Sequence, residues 1–183
     1  MARRYGADGA DAMALGQSSL AVSYRLGKRE DIDRAESLDL SLRVFVGRRQ
    51  AFVSSSDTTA DALDAMAARA IAMAQAAPED PYACLAPRER LWTGGDAQAL
   101  ELADPAAPDA EALFALARAA EEAALAVPGV TNSEGAGASW SRRSFALATS
   151  HGFMGERIGT HYALGASVLA GEGSAMQRDY DYV

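Results

Sequence analysis

Cysteine and histidine are scarce in this sequence. Cys84 is the only cysteine among 183 residues, so the chain cannot form an internal disulfide or a CxxC pair of zinc ligands. The two histidines, His151 and His161, lie ten positions apart, and no HExxH or HExxxH motif is present. A zinc site needs three or four converging ligands. The sequence therefore predicts no metal ligand, no cofactor site and no catalytic residue in this chain.

Positive charge and long apolar runs are scarce as well. Lys and Arg together number 17 against 25 Asp and Glu, which gives a formal net charge of −8. An acidic surface repels phosphate backbones, so we expect no nucleic-acid partner. No stretch approaches the roughly 18 uninterrupted apolar residues of a membrane span. The N-terminal Met-Ala-Arg-Arg-Tyr-Gly has no apolar region after its basic pair. We therefore expect a cytoplasmic protein without a membrane partner.

The sequence also lacks the common nucleophile and phosphate-binding motifs. The serines at 54–56 are not in a G-x-S-x-G elbow. Gly171-Glu172-Gly173 is not followed by the Gly-Lys-Ser/Thr of a phosphate loop. Cys84 has no histidine near it in sequence, which favours a packing role over a reactive thiol. These absences predict a chain that is not an enzyme by itself.

Alternation and helical periodicity predict an α+β fold. Strands are predicted at 20–26, 29–37, 40–46 and 50–54, and again at 136–140, 145–149, 158–170 and 176–182. Most of them show alternating apolar residues, whereas 29–37 is predicted as a polar, poorly buried strand. Between these two groups, helices are predicted at 59–77 and 109–127, separated by a Pro- and Gly-containing connector at 78–108. The predicted order is ββββ-α-connector-α-ββββ, with both helices packed on antiparallel sheet. The first fifteen residues are predicted to be the end of a helix.

Three polar residues of the last predicted hairpin are the candidate site. Because side chains alternate across a strand, His161 on the first strand and Asp179 and Asp181 on the second are predicted to share its odd-numbered face. Paired carboxylates can hold a metal or exchange protons. Acids that alternate with tyrosines are nevertheless ordinary at a strand edge, and a lone strand histidine is more often a surface residue. The preferred interpretation is a face that contacts a partner or a substrate.

Five stretches, taken in order, resemble the N-terminal domain of the TldD/PmbA family, the so-called modulators of DNA gyrase. They lie at 26–31, 42–47, 76–82, 127–135 and 171–182. The Glu-Asp-Pro-Tyr at 79–82 and the Arg-Asp-Tyr-Asp-Tyr at 178–182 are more similar to PmbA (TldE) than to TldD. The resemblance implies that residues 1–183 are an N-terminal domain whose first helix is truncated and whose C-terminal domain is absent.

The resemblance also implies an activity for the whole assembly. TldD-type and PmbA-type chains pair as a metalloprotease that trims peptides and unfolded small proteins. The metal-binding His-Glu-x-x-x-His motif belongs to the C-terminal part of TldD-type chains, so zinc is expected only in such a partner. The implied partners are a TldD-type subunit, the missing C-terminal domain and peptide substrates. This chain would then help to build the substrate chamber and the partner interface.

Two other functions are consistent with the same sequence. A stand-alone module could bind extended peptides at an exposed sheet edge. A regulator linked to DNA gyrase is the second alternative, which the family's name suggests and the acidic charge disfavours. We also expect the chain to associate with itself, because a sheet edge left uncovered is a template for pairing with another strand.

Overall fold

The computed structural model describes residues 1–95 and 100–183 and shows an α+β fold. The described residues form six strands and two helices. The strands are β1 (Gly9–Arg25), β2 (Lys28–Val46), β3 (Arg49–Ser55), β4 (Val130–Thr149), β5 (Met154–Ala170) and β6 (Gln177–Tyr182). The helices are α1 (Ala60–Ala76) and α2 (Ala110–Leu125). Short 3-10 turns occupy Ala2–Tyr5, Arg88–Arg90 and Gly173–Ala175. The predicted connector at 78–108 lies between the two helices, and its residues 96–99 are outside the described residues.

The six strands form one sheet in the order β3-β2-β1-β4-β5-β6. β2 and β3 pair in antiparallel fashion, with Val44 opposite Ala51. The connection between β1 and β2 is the dipeptide Leu26-Gly27, whose φ angles are +47° and +80°. Two successive positive φ angles are typical of the tight turns that join antiparallel strands, and glycine adopts such an angle without a steric penalty. The predicted antiparallel α+β fold is confirmed at this level.

The predicted order with four strands on each side of the helices is wrong, because three strands lie on each side. The segments predicted as separate strands at 29–37 and 40–46 are one strand, Lys28–Val46. Likewise β4 continues through Arg142-Arg143, where a turn was predicted. In both places the side chains are largely exposed, so burial leaves no alternating pattern. Hydrogen bonding to neighbouring strands, which sequence periodicity does not record, keeps the backbone extended.

The prediction that the first fifteen residues end a helix is also wrong. Only Ala2–Tyr5 is helical, as a single 3-10 turn that ends at Gly6. β1 begins at Gly9 and runs without interruption to Arg25. Its first half is rich in alanine and glycine, whose sequence pattern favours no strand. The pairing of β1 with β2 and β4 therefore determines its conformation.

The described residues divide into two compact units. The first unit contains Met1–Gly16, Ser37–Glu101 and Arg143–Ile158. Its helix, α1, begins at Thr59, whose side chain accepts a hydrogen bond from the Ala62 amide. Such a cap pairs one of the free amides of the first helical turn. One face of α1 packs on the sheet, and the buried residues of this core are Ala2, Ala7, Ala10, Val44, Val53, Met66, Ala70, Ile71 and Ala74.

Within the first unit, the connector lies against β1 through Leu85. A side-chain carbon placed on Gly9 would lie 3.4 Å from Leu85 Cδ1 and 3.5 Å from Phe45 Cδ2. These are ordinary van der Waals distances, so the Leu85 side chain lies close to β1 at Gly9. Leu85 is half-buried, whereas Trp92 in the same connector is 55% exposed.

The second unit contains Gln17–Glu36, Leu102–Arg142 and Gly159–Val183. Its helix, α2, begins at Asp109, whose carboxylate accepts a hydrogen bond of 2.8 Å from the Ala112 amide. The core beneath α2 contains Leu20, Val22, Leu113, Phe114, Ala117, Ala136, Ala138 and Trp140. Leu116 and Val127 lie outside this core and are 45% and 54% exposed. Within the described ranges, neither helix is long and apolar enough to cross a membrane.

Candidate functional site

β6 is an outer strand of the sheet, and its pairing with β5 decides which side chains share a face. The pairing is antiparallel, with Ala166 opposite Asp181 and Val168 opposite Asp179. Paired residues point to the same side of a sheet. Asp179 and Asp181 therefore share the face of Leu164 and Ala166, and both of these β5 residues pack against the core beneath α2.

The prediction that His161 shares a face with Asp179 and Asp181 is wrong. Ser167 is opposite Tyr180 in the pairing, so odd positions of β5 share a face with even positions of β6. His161, at an odd position of β5, is exposed on the face opposite the two aspartates. The connection between the two strands determines the register, and a shift of one residue reverses every facing. The strand sequences alone contain no signal for that shift.

An open groove of about 320 Å³ lies in the second unit between α2 and the β5–β6 hairpin. Ala120 and Ala124 form the wall on the helix side, and small side chains there keep the groove open. The other lining residues are Leu164, Gly165, Ala166, Val168, Asp179, Tyr180, Asp181, Tyr182 and Val183. The groove therefore combines an apolar lining with two carboxylates. We call it the α2–β6 groove.

The outer edge of β6 carries backbone groups that β5 does not use. Leu164 and Val183 exchange two backbone hydrogen bonds of 2.9 Å, so they form a hydrogen-bonded pair. Because such pairs alternate along antiparallel strands, the amides and carbonyls of Tyr180 and Tyr182 point away from β5. Instead, the Tyr180 amide donates to Asp179 Oδ1 at 3.0 Å and the Tyr182 amide donates to Asp181 Oδ1 at 2.9 Å. Each aspartate thus occupies the outward amide of the next residue.

The face opposite the groove carries a small polar network. Ser167 Oγ donates to Glu134 Oε2 at 2.7 Å, and Arg178 donates to Ser167 Oγ at 3.0 Å and forms an ion pair with Glu134. The hydrogen bond from Ser167, with the positive charge of Arg178, lowers the pKa of Glu134 below the ordinary glutamate value. On the same face the rings of Tyr180 and Tyr182 stack, with their centroids 6.3 Å apart.

A buried carboxylate holds α2 in place behind the groove. Glu121 is 1% exposed, and its Oε1 accepts hydrogen bonds from Ser133 Oγ and, at 3.0 Å, from the Leu26 amide. Ser133 Oγ also accepts from the Gly135 amide at 2.9 Å. The helix is thereby tied to the β1–β2 turn and to the start of β4. Our sequence prediction missed Glu121, although its spacing of four from Ala117 and eight from Leu113 places it on the buried stripe.

His151 and Cys84, the other residues considered from the sequence, are not among the residues that line the α2–β6 groove. His151 is half-buried, and its ring nitrogens contact the Ala86 carbonyl at 2.9 Å and Thr149 Oγ1 at 2.8 Å. It therefore joins the connector to the β4–β5 turn. Cys84 is exposed and carries a free thiol. Asp179 and Asp181 are the two predicted site residues that the structure brings together at the groove.

The metal of a metallopeptidase does not fit the described residues. In the ranges 1–95 and 100–183, no three side chains of His, Cys, Asp or Glu are grouped so that they could hold a metal ion. Asp179 and Asp181 supply two carboxylates, which is fewer than the three protein ligands of a typical catalytic zinc site.

Two consecutive domains of one family match the sequence. The PmbA/TldA metallopeptidase domain 1 matches residues 10–74, and the PmbA/TldA metallopeptidase central domain matches residues 103–183. The chain is 31% identical over 176 residues to the metalloprotease PmbA of Escherichia coli O157:H7, covering 96% of this chain and 39% of that protein. It is 31% identical over 166 residues to a PmbA homologue of Haemophilus influenzae, covering 90% and 36%. The chain thus spans less than two fifths of these relatives.

Solved structures share the fold. A protein named for modulation of DNA gyrase, from Bacteroides thetaiotaomicron, superposes with a TM-score of 0.87 at 24% identity, covering 99% of this chain and 41% of that one. TldE from Thermococcus kodakarensis superposes with a TM-score of 0.79 at 13% identity, covering 99% and 40%. Fold, family domains and sequence identity agree, and the chain belongs to the PmbA/TldD metallopeptidase family.

Proposed function

We propose that this chain is the N-terminal part of a PmbA/TldE-type subunit in a cytoplasmic TldD/PmbA metalloprotease. The observation that carries the proposal is the match, in order along the chain, to the first and central metallopeptidase domains of the family. The 31% identity to a metalloprotease PmbA supports the PmbA type. In this proposal a TldD-type partner supplies the zinc and the hydrolysis, and the substrates are peptides and unfolded small proteins.

The contribution of this chain would be to position the substrate and to contact the partner. The α2–β6 groove offers apolar surface and two carboxylates beside an extended backbone edge. Edges of this kind recognise unfolded segments through main-chain hydrogen bonds, largely independently of sequence. That recognition suits an enzyme that acts on unfolded chains. Glu121 would maintain the groove by holding α2 in position.

Co-expression of the full-length protein with a TldD-type protein tests this proposal. We expect the two to co-purify and to cleave an unfolded peptide, and we expect a chelator to abolish the cleavage. As a control, a TldD-type protein whose motif glutamate is changed to glutamine should still co-purify but not cleave. Cleavage by the full-length protein alone, or a failure of the two proteins to associate, would contradict the proposed function.

A peptide-binding role without any protease is the second candidate, and the outward hydrogen-bonding groups of β6 favour it. It differs from the main proposal in needing no TldD-type partner for its biological effect. A role linked to DNA gyrase remains the third candidate. The net charge of −8 opposes direct contact with DNA, and salt-sensitive DNA binding by the chain would be required to support such contact.

A further inference from the structure

The outer edge of β6 is closed by its own aspartates rather than left open. The outward amides of Tyr180 and Tyr182 already have an acceptor, whereas their outward carbonyls point away from β5. An incoming strand must therefore displace Asp179 and Asp181 from these amides. Both aspartates are exposed, so water can solvate the freed carboxylates, and a cationic side chain opposite each of them would add an ion pair to the new strand pairing.

A second copy of this chain does not provide such partners. In an antiparallel pair of β6 strands centred on Tyr180, each Asp179 faces the Asp181 of the other copy. In a parallel pair in register, each aspartate lies beside its own counterpart. Both arrangements place four carboxylates on one face, and like charges directly across a sheet are destabilising. Charge thus selects against self-pairing at this edge and favours a cationic occupant.

We propose that β6 receives an extended peptide as an antiparallel seventh strand, with Lys or Arg at alternate positions opposite Asp179 and Asp181. The aspartates release the Tyr180 and Tyr182 amides to the peptide backbone and pair with its basic side chains. Each aspartate thus exchanges a hydrogen bond from a backbone amide for an ion pair with a cationic side chain, while the amide gains a carbonyl acceptor on the peptide. The inference rests on the proposed function, because it assumes that this chain binds peptides. It adds a preference for peptides with basic side chains.

The α2–β6 groove offers a surface for the apolar part of the peptide's lysine and arginine side chains. Lysine and arginine have apolar stems that pack on apolar surface while the charged end stays with its partner. The alanine wall at Ala120 and Ala124 and the side chains of Val168 and Val183 provide that surface. Asp179 and Asp181 lie on the same face as the groove, so one peptide side chain can contact both the lining and a carboxylate.

Binding of designed peptides to the 183-residue chain tests the inference. The probe is a fluorescent seven-residue peptide in which lysine alternates with valine, measured by fluorescence polarisation at low and at physiological salt. In the antiparallel arrangement the backbone of the valines faces β6 and the backbone of the lysines faces away. N-methylation at the valines should therefore abolish binding, whereas N-methylation at the lysines, with the same number of methyl groups, should leave it nearly unchanged.

A pair of double variants tests the role of the aspartates. Asp179→Asn with Asp181→Asn keeps an oxygen that can accept from the tyrosine amides but removes the charge, and it should weaken peptide binding by about tenfold or more. Asp31→Asn with Asp33→Asn is the matched control, because Asp31 accepts from the Ile32 amide in the same way on the exposed part of β2. The control should change binding by less than about twofold.

Specific outcomes would overturn the inference. Equal binding of the two methylated peptides would show attraction to net charge without strand addition. Equal losses of peptide binding in the two double variants would also show attraction to net charge alone. Tighter binding of a glutamate–valine peptide than of the lysine–valine peptide would contradict the preference for basic side chains. Self-association of the unchanged chain that the lysine–valine peptide displaces would identify a second copy as the occupant. No protease partner is present in these measurements, so their failure leaves the proposed protease assembly intact.

Discussion

The two compact units bury different chemistry beneath their helices. Beneath α1 the core is made of small and aliphatic side chains, and alanine is its most frequent member. Beneath α2 the core adds Phe114 and Trp140 and, beside them, the buried Glu121–Ser133 pair. The core beneath α1 is therefore a packing of apolar side chains, whereas the core beneath α2 also depends on the hydrogen bonds that Glu121 accepts. The α2–β6 groove lies in the second unit, and its shape depends on the position of α2.

Loss of the buried carboxylate should be the most damaging change in the second unit. Glu121→Ala leaves the Ser133 hydroxyl and the Leu26 amide without their acceptor, and we expect it to cost on the order of 3 kcal/mol. Glu121→Gln retains an acceptor oxygen and should cost less than half of that. Urea denaturation measures both values. Glu122→Ala, on the exposed side of α2, is the control, and a loss there as large as at Glu121 would contradict the network's role.

Overpacking should be the characteristic failure of the first unit. Ala70 is fully buried on α1, and Ala70→Leu forces three additional carbon atoms into a filled core, at a cost of about 2 kcal/mol. Ala65→Leu, at an exposed position of the same helix, should change the free energy of unfolding by less than about 0.5 kcal/mol. Urea denaturation measures the free energy of unfolding of both variants. Equal losses would mean that Ala70 does not lie on the buried face of α1.

The two helix caps allow a finer comparison of the units. Asp109 accepts from Ala112 at 2.8 Å, and its negative charge also suits the start of a helix. Thr59 accepts from Ala62 at 3.4 Å and has no charge. We expect Asp109→Ala to cost about 1 kcal/mol and Thr59→Ala about half as much. Thermal unfolding followed by circular dichroism measures the difference, and a larger loss at Thr59 would reverse the ranking.

The contact between His151 and the connector should be local in its effect. His151→Ala removes the hydrogen bonds to Ala86 and Thr149, at a cost of about 1 kcal/mol. Limited proteolysis should then cut the connector near Ala86 faster than in the unchanged chain. His161→Ala, on an exposed strand position, is the matched control and should leave both stability and cleavage unchanged. Faster cleavage in the His161 variant would contradict this assignment.

The smallest expected effect concerns the titration of Glu134. Ser167→Ala removes the hydrogen bond that contributes most to its low pKa, so the pKa of Glu134 should rise toward the ordinary value. A carboxyl group whose pKa is lowered by folding stabilises the folded state above its unfolded pKa, and this contribution is lost as pH falls through the folded pKa. NMR titration of the side-chain carboxyl measures the shift. An unchanged pKa in Ser167→Ala would show that the positive charges of Arg178 and Arg25 are responsible.

Periodicity predicted the helices well because each has a buried stripe of its own. α1 was predicted at 59–77 and is observed at Ala60–Ala76, and α2 was predicted at 109–127 and is observed at Ala110–Leu125. Capping residues and the following prolines define these ends locally. The inward face of α2 was predicted less well, because an acid at position 121 does not suggest burial. Only its partners, Ser133 and the Leu26 amide, make that burial favourable.

For the candidate site, the sequence by itself determined that Asp179 and Asp181 lie on one face of one strand, because side chains alternate along any extended chain. It also determined the family, through stretches distributed from residue 26 to residue 182. Only the tertiary structure decided which face that was. The register between β5 and β6 depends on how the turn at Gly173–Ala175 closes, and it sends His161 to the opposite side. Facing across a hairpin is a property of two strands together, so neither strand's own pattern contains it.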